Sequence, residues 1–192
     1  NIVPWQQLAF KKGAELRYLP HNDEGVIDLD GAVSIIDART KIVAATHMSN
    51  VLGTINPIAK LAERAHDVGA VILVDAAQSV PHMPVDVQVL DADFLCFSAH
   101  KMVGPTGIGV LWGKTDLLEA MPPYMFGGDM ILEVTYEDAN WNDLPYKFEA
   151  GTPNIADAIA TGAAADYLSE LGMDNIWQHE QELTAYAMER VL

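Results

Sequence analysis

Two apolar runs that each lead to an ionisable residue constrain the fold of this chain more than any other feature. Ala70-Val71-Ile72-Leu73-Val74 ends on Asp75, and Phe94-Leu95-Cys96-Phe97 continues through Ser98-Ala99-His100 to Lys101. Short runs without polar alternation fit strands buried on both faces, as a parallel sheet requires. Helical spacing lies beside them. In 57–68, Pro57 opens a stretch that places Ile58, Leu61, Ala62, Ala65 and Val68 on one helical face, with Gly69 just beyond. Proline at the start and glycine past the end are ordinary helix boundaries. Strands alternating with helices imply an α/β fold, three-layer α/β/α around a mostly parallel sheet.

Further helices are expected over 4–12, 29–37, 116–121, 155–171 and 174–192, and strands over 14–19, 41–46, 71–74, 94–97 and 108–112. The prolines of 80–84 predict irregular backbone. The stretch 122–153, rich in Gly, Pro and Met, reads as a long loop of the kind that forms lids or subunit contacts.

Ligands of open α/β sheets bind at the carboxyl ends of the strands, where Asp75 and Lys101 both fall. Alone, the aspartate reads as a helix cap and the lysine as a solvated loop cation. Their surroundings favour chemistry instead. After Asp75 come Ala76-Ala77-Gln78-Ser79, small side chains that admit a flat ring and an amide that can donate to it. Ser98 and His100, two candidate phosphate donors, precede Lys101, and the turn Gly104-Pro105-Thr106-Gly107-Ile108-Gly109 follows. A lysine held among apolar groups loses its proton more easily and attacks aldehydes, while an aspartate can keep a pyridine nitrogen protonated. The pair suggests a site for pyridoxal 5'-phosphate (PLP).

Four ordered segments carry a family resemblance: Thr46-His47-Met48-Ser49-Asn50-Val51-Leu52-Gly53-Thr54, Val74-Asp75-Ala76-Ala77-Gln78, Phe97-Ser98-Ala99-His100-Lys101-Met102-Val103-Gly104-Pro105-Thr106-Gly107-Ile108-Gly109 and Phe148-Glu149-Ala150-Gly151-Thr152-Pro153-Asn154. Together they resemble the SufS-type (group II) cysteine desulfurases, fold-type I PLP enzymes of the class V aminotransferase group. The resemblance runs over 1–192. It implies that Lys101 bonds the cofactor aldehyde and moves protons at the substrate α-carbon. Asp75 would face the ring nitrogen, Gln78 the phenolic oxygen, and Ser98 and His100 the phosphate. Asn50 would help bind the ring oxygen and the substrate carboxylate, and Thr152 would reach the phosphate across a dimer interface.

The implied activity converts L-cysteine to L-alanine and hands sulfur, as a persulfide, to an acceptor protein for iron–sulfur cluster assembly. A cytoplasmic homodimer is expected. Members of this family are longer, so 1–192 is expected to be part of the large PLP-binding domain, without its N-terminal part or the C-terminal small domain. The nucleophilic cysteine, the ring-stacking histidine and the carboxylate-binding arginine would then lie outside it. A selenocysteine lyase or another class V lyase or transaminase fits the same motifs, and a non-catalytic PLP-domain fragment is the alternative of another class. A Rossmann dinucleotide domain fits less well, since no Gly-x-Gly-x-x-Gly follows the first strand.

Charge narrows the partners. Eleven Lys and Arg against 27 Asp and Glu leave a net charge of −16, which argues against nucleic acid or an anionic membrane. No apolar run approaches the roughly 20 residues that span a bilayer. One cysteine, Cys96, excludes an internal disulfide and fits a reducing compartment. In a strand interior it should pack as a small hydrophobe. His21, His66, His82 and His179 lack metal-ligand spacing, so no metal is expected. His47 reads equally well as a polar loop contact or a site residue. Gly127-Gly128 reads as a simple turn, and Trp5, Trp112, Trp141 and Trp177 as core or interface residues.

Overall fold

A computed structural model describes residues 1–191 of the 192. Its elements, in chain order, are α1 (Val3–Lys12), α2 (Leu29–Ile35), β1 (Ile42–Thr46), α3 (Ile58–Asp67), β2 (Val71–Asp75), α4 (Ser79–His82), β3 (Phe94–Ser98), β4 (Gly109–Gly113), α5 (Thr115–Ala120), β5 (Ile131–Val134), β6 (Ala139–Trp141), α6 (Ile155–Leu171) and α7 (Met173–Val191). Strands β1 to β4 form one sheet in that order; the first three are parallel and β4 returns antiparallel. The fold is the expected α/β type with a mostly parallel sheet.

Register sorts the side chains. Val43 sits opposite Ile72, Ala45 opposite Val74, Val74 opposite Leu95, and Leu95 opposite Trp112, so these share one face. Helix α3 covers it with Ile58, Leu61, Ala62 and Ala65, each at most 1% exposed. The two alanines let backbone approach backbone, and burial of branched side chains there, worth about 2 kcal/mol apiece, holds the helix down. Further along, Leu95, Phe97, Val110 and Trp112 face α6 residues Ala165 and Leu168 across an apolar recess of about 350 Å³. The other face carries Leu73, Asp75, Cys96 and Ser98 and is covered less, with Ile42 45% and Leu111 57% exposed. The site lies at the edge of that face.

Several expectations are corrected. Residues 14–19 pair with no strand among the described residues. Arg17 instead ties this segment to the end of α2, donating to the Ile35 carbonyl at 3.3 Å and the Asp37 carboxylate at 3.1 Å. Residues 80–84 are not wholly irregular: α4 accommodates Pro81 in its first turn, where a missing N–H removes no hydrogen bond. The long loop 122–153 contains the hairpin β5–β6, turned by Thr135, whose hydroxyl accepts from the N–H groups of Glu137 and Asp138 at 3.2 and 3.0 Å. Its strands are too short, and too exposed at Leu132 and Val134, to show a period-two pattern. The last helix begins at Met173, and Leu192, its expected end, lies outside the described residues. Among the described residues no helix is long and apolar enough to cross a membrane.

At the sheet end opposite the Asp75 edge, four polar side chains clamp α3, β2, β3 and β4 together. Asp93 is 4% exposed and accepts from the Ile72 N–H at 2.8 Å, His66 Nε2 at 2.8 Å and Lys114 Nζ at 2.8 Å. Asp91 meets the other His66 nitrogen and Lys114 at 3.0 Å each. Burial pushes the Asp93 carboxyl up, but Lys114, the Ile72 N–H and His66 together hold it below the usual carboxylate range. A depressed carboxyl stabilises the fold above its ordinary value near 3.8 and loses that contribution as pH falls through the lower folded value. Asp93→Ala is therefore expected to cost about 3 kcal/mol at pH 7. In urea melts the gap from the parent should narrow below about pH 4; coincident curves at pH 7 would contradict the clamp.

Candidate functional site

Backbone hydrogen bonds align the carboxyl ends of three strands. The Asp75 carbonyl accepts from the His47 N–H at 2.8 Å, and the Cys96 carbonyl accepts from the Ala76 N–H at 2.9 Å. Thr46 pairs with Asp75 and Asp75 with Cys96, so Asp75 and Ser98, two residues past Cys96, lie on the same face of neighbouring strands. A 3-10 turn, Ala99–Lys101, continues from β3 and carries His100 and Lys101 off its tip. Ala99 anchors this turn in the core, fully buried, while its N–H donates to the Ile108 carbonyl at 3.2 Å.

The glycine-rich turn that follows folds back tightly. A Cβ on Gly104 would lie 2.8 Å from the Ala99 carbonyl oxygen, and one on Gly109 2.8 Å from that of Phe97, so neither position admits a side chain without movement. Val103 holds φ at 54°, in the left-handed region that β-branched residues avoid. Strain of this kind persists where the surroundings over-determine the backbone, and it collects near functional sites. Gly107 approaches the start of α6, where Asn154 caps the helix.

Asp75 is half-buried and its carboxylate is fixed at both oxygens: Oδ1 accepts from the Ala77 N–H at 3.1 Å and Oδ2 from the Asn1 side-chain amide at 2.6 Å. Among the described residues no cation pairs with it. The side chains of Gln78, Ser98, His100 and Lys101 make no hydrogen bond within the described chain, which leaves their donors available. Gln78 and Ser98 are half-buried, whereas His100 and Lys101 are exposed. The apolar pocket expected around Lys101 is thus not formed by these residues, because the turn carries it beyond the strand tip.

Asn50 is exposed on the loop after β1. The turn there is held by Ser49, whose hydroxyl accepts from the Val51 and Leu52 N–H groups at 3.2 Å each, so the Asn50 amide is not used as a turn brace. Thr152 is exposed between Gly151 and Pro153, and the helix cap it could have supplied comes from Asn154. The Gly127-Gly128 turn does more than reverse the chain: the Gly128 carbonyl accepts from the Gly151 N–H at 2.9 Å and so anchors the Thr152 segment. His47 is 5% exposed, with Nδ1 unpartnered and its basicity pushed down by burial. Sequence reasoning missed Asn1 and the His66–Asp93 contact, since neither partner pair shares a local pattern.

The donor set suits PLP. An acceptor-only carboxylate without a cation matches a protonated pyridine nitrogen, and Ser98, His100 and Lys101 supply hydroxyl, imidazole and amine beside it. The sequence is 55% identical over 191 residues to a cysteine desulfurase of Haloferax volcanii, covering all of this chain and 45% of that protein. It is 57% identical over 192 residues to a probable cysteine desulfurase of Staphylococcus epidermidis, covering all of this chain and 46% of that one. The apo structure of a cysteine desulfurase from Thermococcus onnurineus superposes with a TM-score of 0.93 at 41% identity, over 97% of this chain and 47% of that chain. The chain therefore spans about half the length of the relatives it matches. With residues 1–192 matching the aminotransferase class-V family throughout, the chain belongs to that family.

Proposed function

We propose that this chain is the cofactor-holding part of a PLP-dependent cysteine desulfurase of the SufS type, acting on L-cysteine to give L-alanine and a persulfide for iron–sulfur cluster assembly. The observation that carries it is the delivery of Asp75 and Ser98 to one face of neighbouring strand ends, with His100 and Lys101 on the turn that continues from β3. The desulfurase relatives on both sides of this comparison support the choice of reaction. Residues 1–192 would then be an incomplete large domain. It would work as a homodimer in the cytoplasm with a separate sulfur-acceptor protein.

PLP, when bound, supplies an aldehyde that takes up an amine and a ring that draws electrons from the substrate α-carbon. Lys101 would hold the aldehyde through its amine and would carry a proton to or from the substrate α-carbon; its exposed position beyond β3 gives it room to swing. Asp75 would keep the ring nitrogen protonated. Gln78 would donate to the phenolic oxygen, while Ser98 and His100 would hold the phosphate. Asn50 would orient the substrate carboxylate, and Thr152 would reach the phosphate across a dimer interface.

Cys96 is not the sulfur-accepting thiol in this reading. It lies half-buried within β3, and burial, then the Asp75 charge, pushes its thiol up, away from the reactive thiolate. In the full-length protein Cys96→Ala is expected to release alanine from L-cysteine within about twofold of the parent rate. A dead variant would make Cys96 the nucleophile.

The function is tested by loading the full-length protein with PLP and supplying L-cysteine with a reductant. Alanine and sulfide should appear in equal amounts. PLP uptake with no alanine formed would sink the proposed reaction.

A further inference from the structure

We infer that Asn1 is a positioning residue for the Asp75 carboxylate, held to that task by Trp5. The inference rests on the PLP-site reading above and adds two residues that it does not use. Asn1 lies 74 positions from Asp75 in sequence, yet its Nδ2 donates to Asp75 Oδ2 at 2.6 Å. Its Oδ1 accepts from Trp5 Nε1 at 3.0 Å. The amide orientation follows from chemistry. An indole N–H only donates and an ionised carboxylate only accepts, so a flipped Asn1 amide would set two acceptors and two donors against each other. Trp5, one turn along at the opening of α1, therefore fixes which way Asn1 points.

The consequence falls on Asp75. With Ala77 N–H on Oδ1 and Asn1 Nδ2 on Oδ2, the carboxylate cannot rotate about its last bond without losing a hydrogen bond. Each oxygen keeps a further lone pair for a ligand. Donors that are charge-assisted are among the stronger hydrogen bonds. Helix α1, which buries none of its residues, thereby has a defined role: its Trp5 holds the Asn1 amide against Asp75. Asn1 bonds the acid directly, so its effect runs through Asp75.

The test uses full-length protein stripped of PLP and then titrated with it, in the parent, Asn1→Ala, Trp5→Phe and the double variant. Cofactor uptake is followed by absorbance and by circular dichroism in the visible band, which reports how the ring is held. Asn1→Ala is expected to weaken PLP binding about tenfold and to reduce the dichroic signal per bound cofactor. Trp5→Phe should weaken it about threefold, and the double variant should match Asn1→Ala alone, because Trp5 acts only through Asn1. Asn1→Ala protein that binds PLP within twofold of the parent, with the same dichroic signal, overturns the inference. Independent, multiplying effects of the two substitutions overturn it as well, as does a lower melting temperature of the stripped variants with an unaltered signal per bound cofactor, which marks a merely structural role. Parent protein that takes up no PLP at all refutes the cofactor reading itself, a result distinct from these.

Discussion

Full-length protein carrying Lys101→Ala is expected to bind PLP without a borohydride-reducible bond and to turn over L-cysteine about 10,000-fold more slowly than the parent. Two losses combine in that figure. The amine that holds the aldehyde is gone, and so is the group that moves a proton at the α-carbon. Neighbouring lysines do not replace it. Lys114 sits at the far end of β4, paired with Asp91 at 3.0 Å and Asp93 at 2.8 Å. Lys147 is buried, with its ammonium donating to the Leu118 and Glu119 carbonyls at 3.1 and 2.8 Å. The fold should survive, since Lys101 is exposed and ties no element to another. Added primary amines of small size should restore part of the rate. A variant that keeps more than a tenth of the parent rate would remove Lys101 from the reaction.

Asp75→Asn is the second large effect. The substitution preserves shape and can still accept from the Ala77 N–H, but it replaces an anion by a neutral amide opposite the ring nitrogen. Turnover of L-cysteine should fall by about 1,000-fold, in line with the removal of one oriented electrostatic partner from a reaction centre. PLP should still bond to Lys101, because that step needs the amine and not the acid. Stopped-flow absorbance separates the two: aldehyde capture near the parent rate, α-carbon chemistry slowed. Parent-like turnover together with parent-like PLP affinity would place Asp75 outside the site.

The parts of the fold visible in sequence are those with dense local patterning. Strands β2 and β3 are apolar runs of strand length, and α3 has both its apolar spacing and its Gly69 stop, so their residues fell where expected. The parallel arrangement followed from the alternation of strands with helices. The direction of β4 did not show, because the turn Gly104 to Gly109 that reverses the chain marks a tight bend without stating which way the next strand runs. Segment 14–19 has strand composition and no strand to pair with, a tertiary fact. The hairpin β5–β6 is set by Thr135 side-chain bonds and not by periodicity.

The site divides the same way. Asp75, Gln78, Ser98, His100 and Lys101 lie in two contiguous motifs, and register alone brings the motifs together. Asn1 belongs to no motif, and 74 positions of sequence separate it from Asp75. The clamp of His66, Asp91, Asp93 and Lys114 gathers side chains from three separate segments, and no spacing rule relates them. The exposure of Lys101 was also hidden, since burial depends on what packs over a turn and not on the turn's own residues.

One experiment reaches the central claim most directly. Full-length protein is loaded with PLP, reduced with borohydride, digested and mapped by mass spectrometry. A single phosphopyridoxyl group on Lys101 is the predicted result. The same group on Lys114, Lys147 or any other lysine, or no incorporation at all, would contradict the account.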